Sequence, residues 1–189
     1  GASIAVVNYA TLGLLAKNPT LHRNSVLCRA FQIDVAGSAA EDFQKAVDEN
    51  LVETRIGSGA GERLLFKRTT PGRESVGFLM GGMGFWDRIE AVVVRTPDLK
   101  QILNIQCMDQ KETPGLGARI EEPWFTDQFQ GLQVAWDAAP DERIVIGASP
   151  DPQAKNRVDG ITGATQTSMA LMNFLNQELE LIRTLNPAP

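Results

Sequence analysis

A chain of 189 residues is long enough to bury a sizeable core as one decorated domain, and 43% apolar with 22% charged residues is ordinary globular material rather than disorder. Eighteen Lys and Arg against 23 Asp and Glu leave a formal charge of −5, without the basic footprint that nucleic-acid binding requires. The only histidine is His22, and Cys28 and Cys107 lie far apart, so neither a metal site nor a Ser-His-Asp triad is expected, and the cysteines read as two buried free thiols in preference to one disulfide.

The chain opens on an apolar run, residues 2–16, too short to span a bilayer and interrupted by Asn8, Tyr9 and Thr11. It reads either as an amphipathic surface helix or as the end of a membrane anchor. Asn18-Pro19-Thr20 ends it. A short helix is expected over 24–33, with Val26, Leu27, Ala30 and Phe31 at helical spacing. A second is expected over 38–51, capped by Ser38 with Glu41 at the capping-box position and a stripe of Phe43, Ala46, Val47 and Leu51. The glycine-rich stretch 56–61 reads as a flexible connection. Residues 64–66 and 76–80 flank Thr70-Pro71-Gly72, and 89–95 and 101–107 flank Thr96-Pro97-Asp98, which predicts two hairpins. In 89–95, Ile89, Ala91 and Val93 share one face. Trp124, Phe125, Phe129 and Trp136 are the packing anchors of a mixed region, 121–140, and one more short strand is expected over 143–147. Met169, Met172, Leu175, Leu179, Ile182 and Leu185 then recur at steps of three and four, a long C-terminal helix stopped by Asn186-Pro187, with the stripe assigned to packing. The fold class is α+β: antiparallel strands packed by helices.

The stretch with chemical content is Asp159-Gly160-Ile161-Thr162-Gly163-Ala164-Thr165-Gln166-Thr167-Ser168. It is a small-residue, hydroxyl-rich turn feeding the start of the last helix, where free N–H groups and the positive end of the dipole favour a phosphate. Gly163 and Ala164 allow close backbone approach, and Thr162, Thr165, Thr167 and Ser168 offer hydroxyls. Taken alone, the same residues also suit an ordinary helix cap. There is no GK[ST] and no GxGxxG after a strand.

The run D-x-x-T-G-A-T over 159–165 resembles the flavin-attachment motif of a family of FMN-binding domains, those of the NqrC-type subunit of sodium-translocating NADH:quinone reductase (Nqr) and the RnfG-type subunit of the Rnf electron-transport complex. Glu112-Thr113-Pro114-Gly115-Leu116-Gly117 looks like that family's ETPGLG loop, and Gly82-Met83-Gly84-Phe85-Trp86 is similar to its glycine-rich turn. These occur in the family's order, so the resemblance covers roughly 64–185. It departs at Phe85, where the family has Leu, and at Leu132, where it often has Lys and a possible phosphate contact.

The resemblance implies FMN joined through a phosphoester to Thr165 by a separate flavin transferase, with FAD as donor and Asp159 as the recognition residue. It implies a pocket in which Thr162, Gly163, Ala164, Thr167 and Ser168 cradle the phosphate. Glu112 and Thr113 would give polar contacts, Leu116 an apolar one, and Pro114 and Gly115 a backbone wall. Gly84 and Trp86 belong to the same pocket, Trp86 being either flavin-facing or a core aromatic. Lys155 and Arg157 offer cations beside the motif. The implied function is electron relay, without independent turnover, in a membrane ion-translocating complex whose other membrane subunits are the partners. An FMN-binding sensory or regulatory module is the alternative. Residues 1–16 are then expected as the end of an N-terminal anchor in the inner membrane, 17–63 as a helical linking segment, and 64–189 as an FMN-binding domain on the extracytoplasmic (periplasmic) side.

Overall fold

The computed structural model describes residues 19–72, 74–148, 151 and 153–185; the apolar run 2–16 lies outside them. Two helices come first, α1 (Pro19–Ala30) and α2 (Ala40–Asn50). A six-stranded antiparallel meander follows in the order β1 (Val52–Ile56), β2 (Arg63–Arg68), β3 (Ser75–Met83), β4 (Arg88–Arg95), β5 (Gln101–Asp109) and β6 (Leu132–Gln133). The short helix α3 (Pro123–Thr126) precedes β6. A separate parallel pair, β7 (Val145–Ile146) and β8 (Arg157–Val158), leads into the long helix α4 (Thr165–Leu185).

Pro19 opens α1 rather than breaking the chain before it, because a proline at the first helical position lacks only an N–H that would have no partner there. The helix closes in a Schellman motif: Gln32 takes φ 52°, its N–H reaches Arg29 O, and Ile33 N–H reaches Cys28 O at 2.8 Å. In α2 the cap is Ala39, one residue past the expected Ser38. It offers no oxygen, and the Asp42 carboxylate instead accepts its N–H at 3.0 Å. β1 lies where a helical link and a loop were expected. It pairs with β2 from Val52↔Lys67 to Ile56↔Arg63, but as an edge strand with residues 52–55 exposed it carries no alternation for the sequence to display.

Each face of the sheet carries its own core. Val92 and Val94 of β4 and Phe66 of β2 pack with Val26, Leu27, Phe31 and Val47 of α1 and α2. Ala91 and Val93, with Leu65 and Phe78, pack on the other side against Leu175, Leu179 and Ile182 of α4 and against Phe125 and Phe129. A central strand buried on both faces explains the near-continuous apolar run of β4. Leu175 and Leu179 are fully buried, so truncating either to Ala costs about 2–5 kcal/mol.

Three features meet at one end of the sheet. α1 runs antiparallel to β5, with His22 Nε2 at Met108 O (2.6 Å) near its start and Asn104 Nδ2 donating to Ala30 O (3.0 Å) at its end. The β3–β4 turn lies at that same end, with Met83 opposite Arg88 and Glu90 opposite Asp109. So does the start of α4, held at Thr167 by Glu112, and the helix then crosses the strands past Gly82 to the Glu178–Arg63 ion pair at 2.6 Å.

Candidate functional site

Residues 161–164 form a type II turn: Ala164 N–H donates to Ile161 O at 2.9 Å and Gly163, the third residue, has φ 81°. α4 starts at Thr165. The hydroxyls of this stretch divide into two kinds. Ser168 is 2% exposed, and its Oγ accepts from Ile161 N–H and donates to Ala164 O, both at 3.1 Å, so it locks the turn. Thr167 is 3% exposed and donates to Glu112 Oε2 at 2.7 Å. Thr162 and Thr165 are exposed. Among the described residues the N–H groups of residues 165–167 find no acceptor, and the cap residue, Ala164, has no side-chain oxygen. The positive end of a 21-residue helix is therefore left open beside the Thr165 hydroxyl.

A cleft of about 940 Å³ opens at this point, with Thr162 and Thr165 in its wall. Its size falls in the range of small-molecule and cofactor sites. Trp124, Met169 and Met172 give it apolar surface, and Arg119 and Arg157 give it positive charge. Arg119 lies 4.9 Å over the Trp124 ring and pairs with Glu122 at 3.1 Å. Arg157 pairs with Asp159 Oδ1 at 2.7 Å and donates to Gly147 O at 3.0 Å, while Asp159 N–H donates to Gln128 Oε1 at 2.8 Å. Asp159 is thus held, yet exposed. Lys155 is not among the lining residues, and Leu132 is buried in the core rather than facing the cleft.

Glu112 stands behind the helix start. It is 4% exposed and both carboxylate oxygens serve protein donors, Trp86 N–H to Oε1 at 3.0 Å and Thr167 Oγ to Oε2 at 2.7 Å. A Cβ on Gly117 would come within 2.6 Å of Thr167 Oγ1 and 2.8 Å of Glu112 Oε2, so only glycine leaves room for this bond. Residues 113–116 form a second type II turn, with Leu116 N–H to Thr113 O at 3.1 Å and Gly115 at φ 74°. Leu116, 42% exposed, reaches Gly163, where a Cβ would lie 3.1 Å from its Cδ2. Glu112 and Leu116 therefore bring all three motif stretches together. Thr113, Pro114 and Gly115 are exposed on the loop, and Gly84 abuts Glu112. Trp86 is no core aromatic: it is 65% exposed, edge-on to Phe85 at 4.9 Å.

Trp124 and Met169, expected in packing, line the cleft instead, together with Arg119, which no sequence pattern marks. Met169 is 45% exposed, since the stripe leaves the core in the first turns of α4 and enters the cleft. Arg119 follows the glycine-rich loop within a 3₁₀ turn (Gly117–Glu121), where no periodicity marks it.

A family model described as an FMN-binding domain matches residues 84–180, which include both the Glu112 clamp and the cleft. The chain belongs to the FMN-binding domain family. It is 32% identical over 166 residues to the C-type subunit of the Na(+)-translocating NADH-quinone reductase of Yersinia pestis, covering 86% of this chain and 58% of that one. It is 27% identical over 195 residues to the G-type subunit of the Na(+)-translocating ferredoxin:NAD(+) oxidoreductase complex of Acetobacterium woodii, covering 97% and 85%. The crystal structure of the C-type subunit of the Na(+)-translocating NADH-quinone reductase from Parabacteroides distasonis superposes with a TM-score of 0.74 over 92% of this chain and 96% of that one, at 19% identity, which shows a shared FMN-binding domain fold. The chain spans little more than half the length of the Yersinia relative.

Proposed function

We propose that this FMN-binding domain carries its flavin covalently, through a phosphoester to Thr165, and relays electrons as a subunit of an Nqr- or Rnf-type ion-translocating complex. The observation that carries the reading is the division of hydroxyls at the helix start. Thr167 and Ser168 are buried and committed to protein partners, while Thr165 stands exposed in the cleft wall at the open end of α4. The N–H groups of the first turn and the guanidinium groups of Arg119 and Arg157 suit a phosphate there. Trp124 and Met169 suit a flat apolar ring system.

The bound FMN supplies reversible electron transfer; the protein supplies position and electrostatics. Thr165 Oγ bonds to phosphorus and loses its proton. Glu112, through Thr167, fixes the first turn that carries Thr165. Attachment proceeds on a flavin transferase: the Thr165 oxygen takes the FMN phosphorus of FAD and AMP leaves. Asp159, exposed and oriented by Arg157 and Gln128, is the feature that the transferase reads.

The partners are the other membrane subunits of the complex. Relatives that match 86% and 97% of this chain are subunits of Na(+)-translocating complexes, which favours a relay subunit over a sensory module. Residues 1–16 are proposed as the end of an inner-membrane anchor, 17–63 as the link, and 64–189 as the FMN-binding domain on the extracytoplasmic side. No helix among the described residues is long and apolar enough to cross a membrane. The test is flavin retention: protein co-produced with the transferase stays yellow after denaturation and gel filtration, and protein made without it does not. Colour lost on denaturation in both cases would refute covalent attachment.

A further inference from the structure

At the tip of the β3–β4 hairpin, Met83, Phe85 and Trp86 are 67%, 54% and 65% exposed, the largest run of exposed apolar side chains among the described residues. The tip is braced. Gly84 N–H closes the turn on Asp87 O at 2.8 Å, Trp86 N–H is held by buried Glu112 at 3.0 Å, and the two rings stack edge to face. Its charges are neutralised locally, Asp87 by Lys111 at 3.2 Å and Arg88 by Glu90 at 2.9 Å. A rigid apolar tip rimmed by paired charges meets a low-polarity surface without leaving a charge uncompensated.

The direction from which the chain enters the fold identifies that surface. The apolar run 2–16 leads into α1 at Pro19, and the start of α1 lies at the Met108–Asp109 end of the sheet through His22. Asp109 pairs with Glu90, so the hairpin tip projects from that same end. A chain that enters α1 at that end from an apolar stretch of sequence, and a Met-Phe-Trp tip projecting from the same end, match a lipid interface, where Trp and Phe settle at headgroup level.

We propose that the β3–β4 tip is a membrane-interface contact, seating Met83, Phe85 and Trp86 among lipid headgroups and turning the α4 start toward the bilayer. The proposal does not depend on flavin attachment, so the flavin-free 189-residue chain serves for its test, and failure of either reading leaves the other standing. The chain is mixed with vesicles of zwitterionic phosphatidylcholine whose acyl chains carry bromine near the headgroup. Trp86 is isolated as the difference between wild-type and Trp86→Phe emission, which needs no change to Trp124 or Trp136. The expected result is a blue-shifted difference spectrum quenched by the brominated lipid and insensitive to salt. Replacing Met83 and Phe85 by Ser weakens partitioning about tenfold or more. A Trp86 difference spectrum unchanged on vesicle-bound chain would overturn the proposal and leave the tip to a protein partner; absence of binding would overturn it as well.

Discussion

Replacing Glu112 by alanine tests whether one buried carboxylate joins the hairpin tip to the start of α4. The substitution removes the acceptors of two donors. Thr167 Oγ, with its residue 3% exposed, is left without a partner at a cost of about 1–3 kcal/mol. The Trp86 N–H belongs to an exposed residue and regains water, so its loss adds little. The emptied space behind Gly84 and Gly117 adds a cavity cost, and release of the carboxylate from burial offsets part of it. A net destabilisation of about 2–3 kcal/mol follows, or about 5–10 °C in Tm for a domain of this size. Glu112→Gln behaves differently. Its amide oxygen still accepts from Trp86, its NH₂ donates to Thr167, and the threonine hydroxyl turns to accept, so the loss is about 1 kcal/mol or less. Thermal unfolding followed by near-ultraviolet circular dichroism reads both variants. A double-mutant cycle with Thr167→Val is expected to give a coupling of about 1–2 kcal/mol. Alanine and glutamine variants equally destabilised, or a coupling near zero, would refute the clamp.

Gly117→Ala is expected to lose about 1–3 kcal/mol in the same melt, because its Cβ meets Thr167 Oγ1 at 2.6 Å and Glu112 Cβ at 2.8 Å; a melt unchanged from wild-type counts against the close approach. Glu180 is held below the ordinary glutamate range by its hydrogen bonds from Arg143 and Arg183. Its contribution is present above the unfolded pKa and is lost as pH falls through the folded one, so the Tm gap between wild-type and Glu180→Gln closes on acidification below about pH 4; a gap that persists unchanged into that range counts against the ion pair. Burial pushes the Cys28 thiol up to about 11 and the Cys107 thiol higher still, so both alkylate slowly in the native protein at neutral pH and rapidly once it is unfolded. Rapid native alkylation, read by mass spectrometry, is the contrary result.

The hairpins were legible because Pro-Gly and Pro-Asp turns punctuate them and because Ile89, Ala91 and Val93 share a face, which the structure buries against α4. α4 was legible from its stripe and its start from the hydroxyl-rich turn. β1 was not, because an edge strand with four exposed residues shows no period. β7 was barely so and β8 not at all, at two residues each and paired in parallel across an intervening loop. In the site, the type II turn at 113–116 follows directly from Thr-Pro-Gly. The task of Glu112 does not, because its partner Thr167 lies 55 residues away and only the fold brings them to 2.7 Å. The exposure of Trp86 was equally hidden, since a tryptophan after a glycine turn reads the same whether it faces the core or solvent.

Covalent attachment at Thr165 is tested most directly by the intact mass of the chain co-produced with a flavin transferase, wild-type beside Thr165→Ala. Thr165 is exposed at the first position of α4 and its hydroxyl serves no protein partner among the described residues, so the alanine variant folds with a stability within about 1 kcal/mol of wild-type. The wild-type chain is expected to gain the mass of FMN less one water, mapped to the peptide carrying Thr165, and Thr165→Ala, equally folded by circular dichroism, to gain nothing. An unmodified wild-type chain, or the same gain in the alanine variant, would contradict attachment at Thr165.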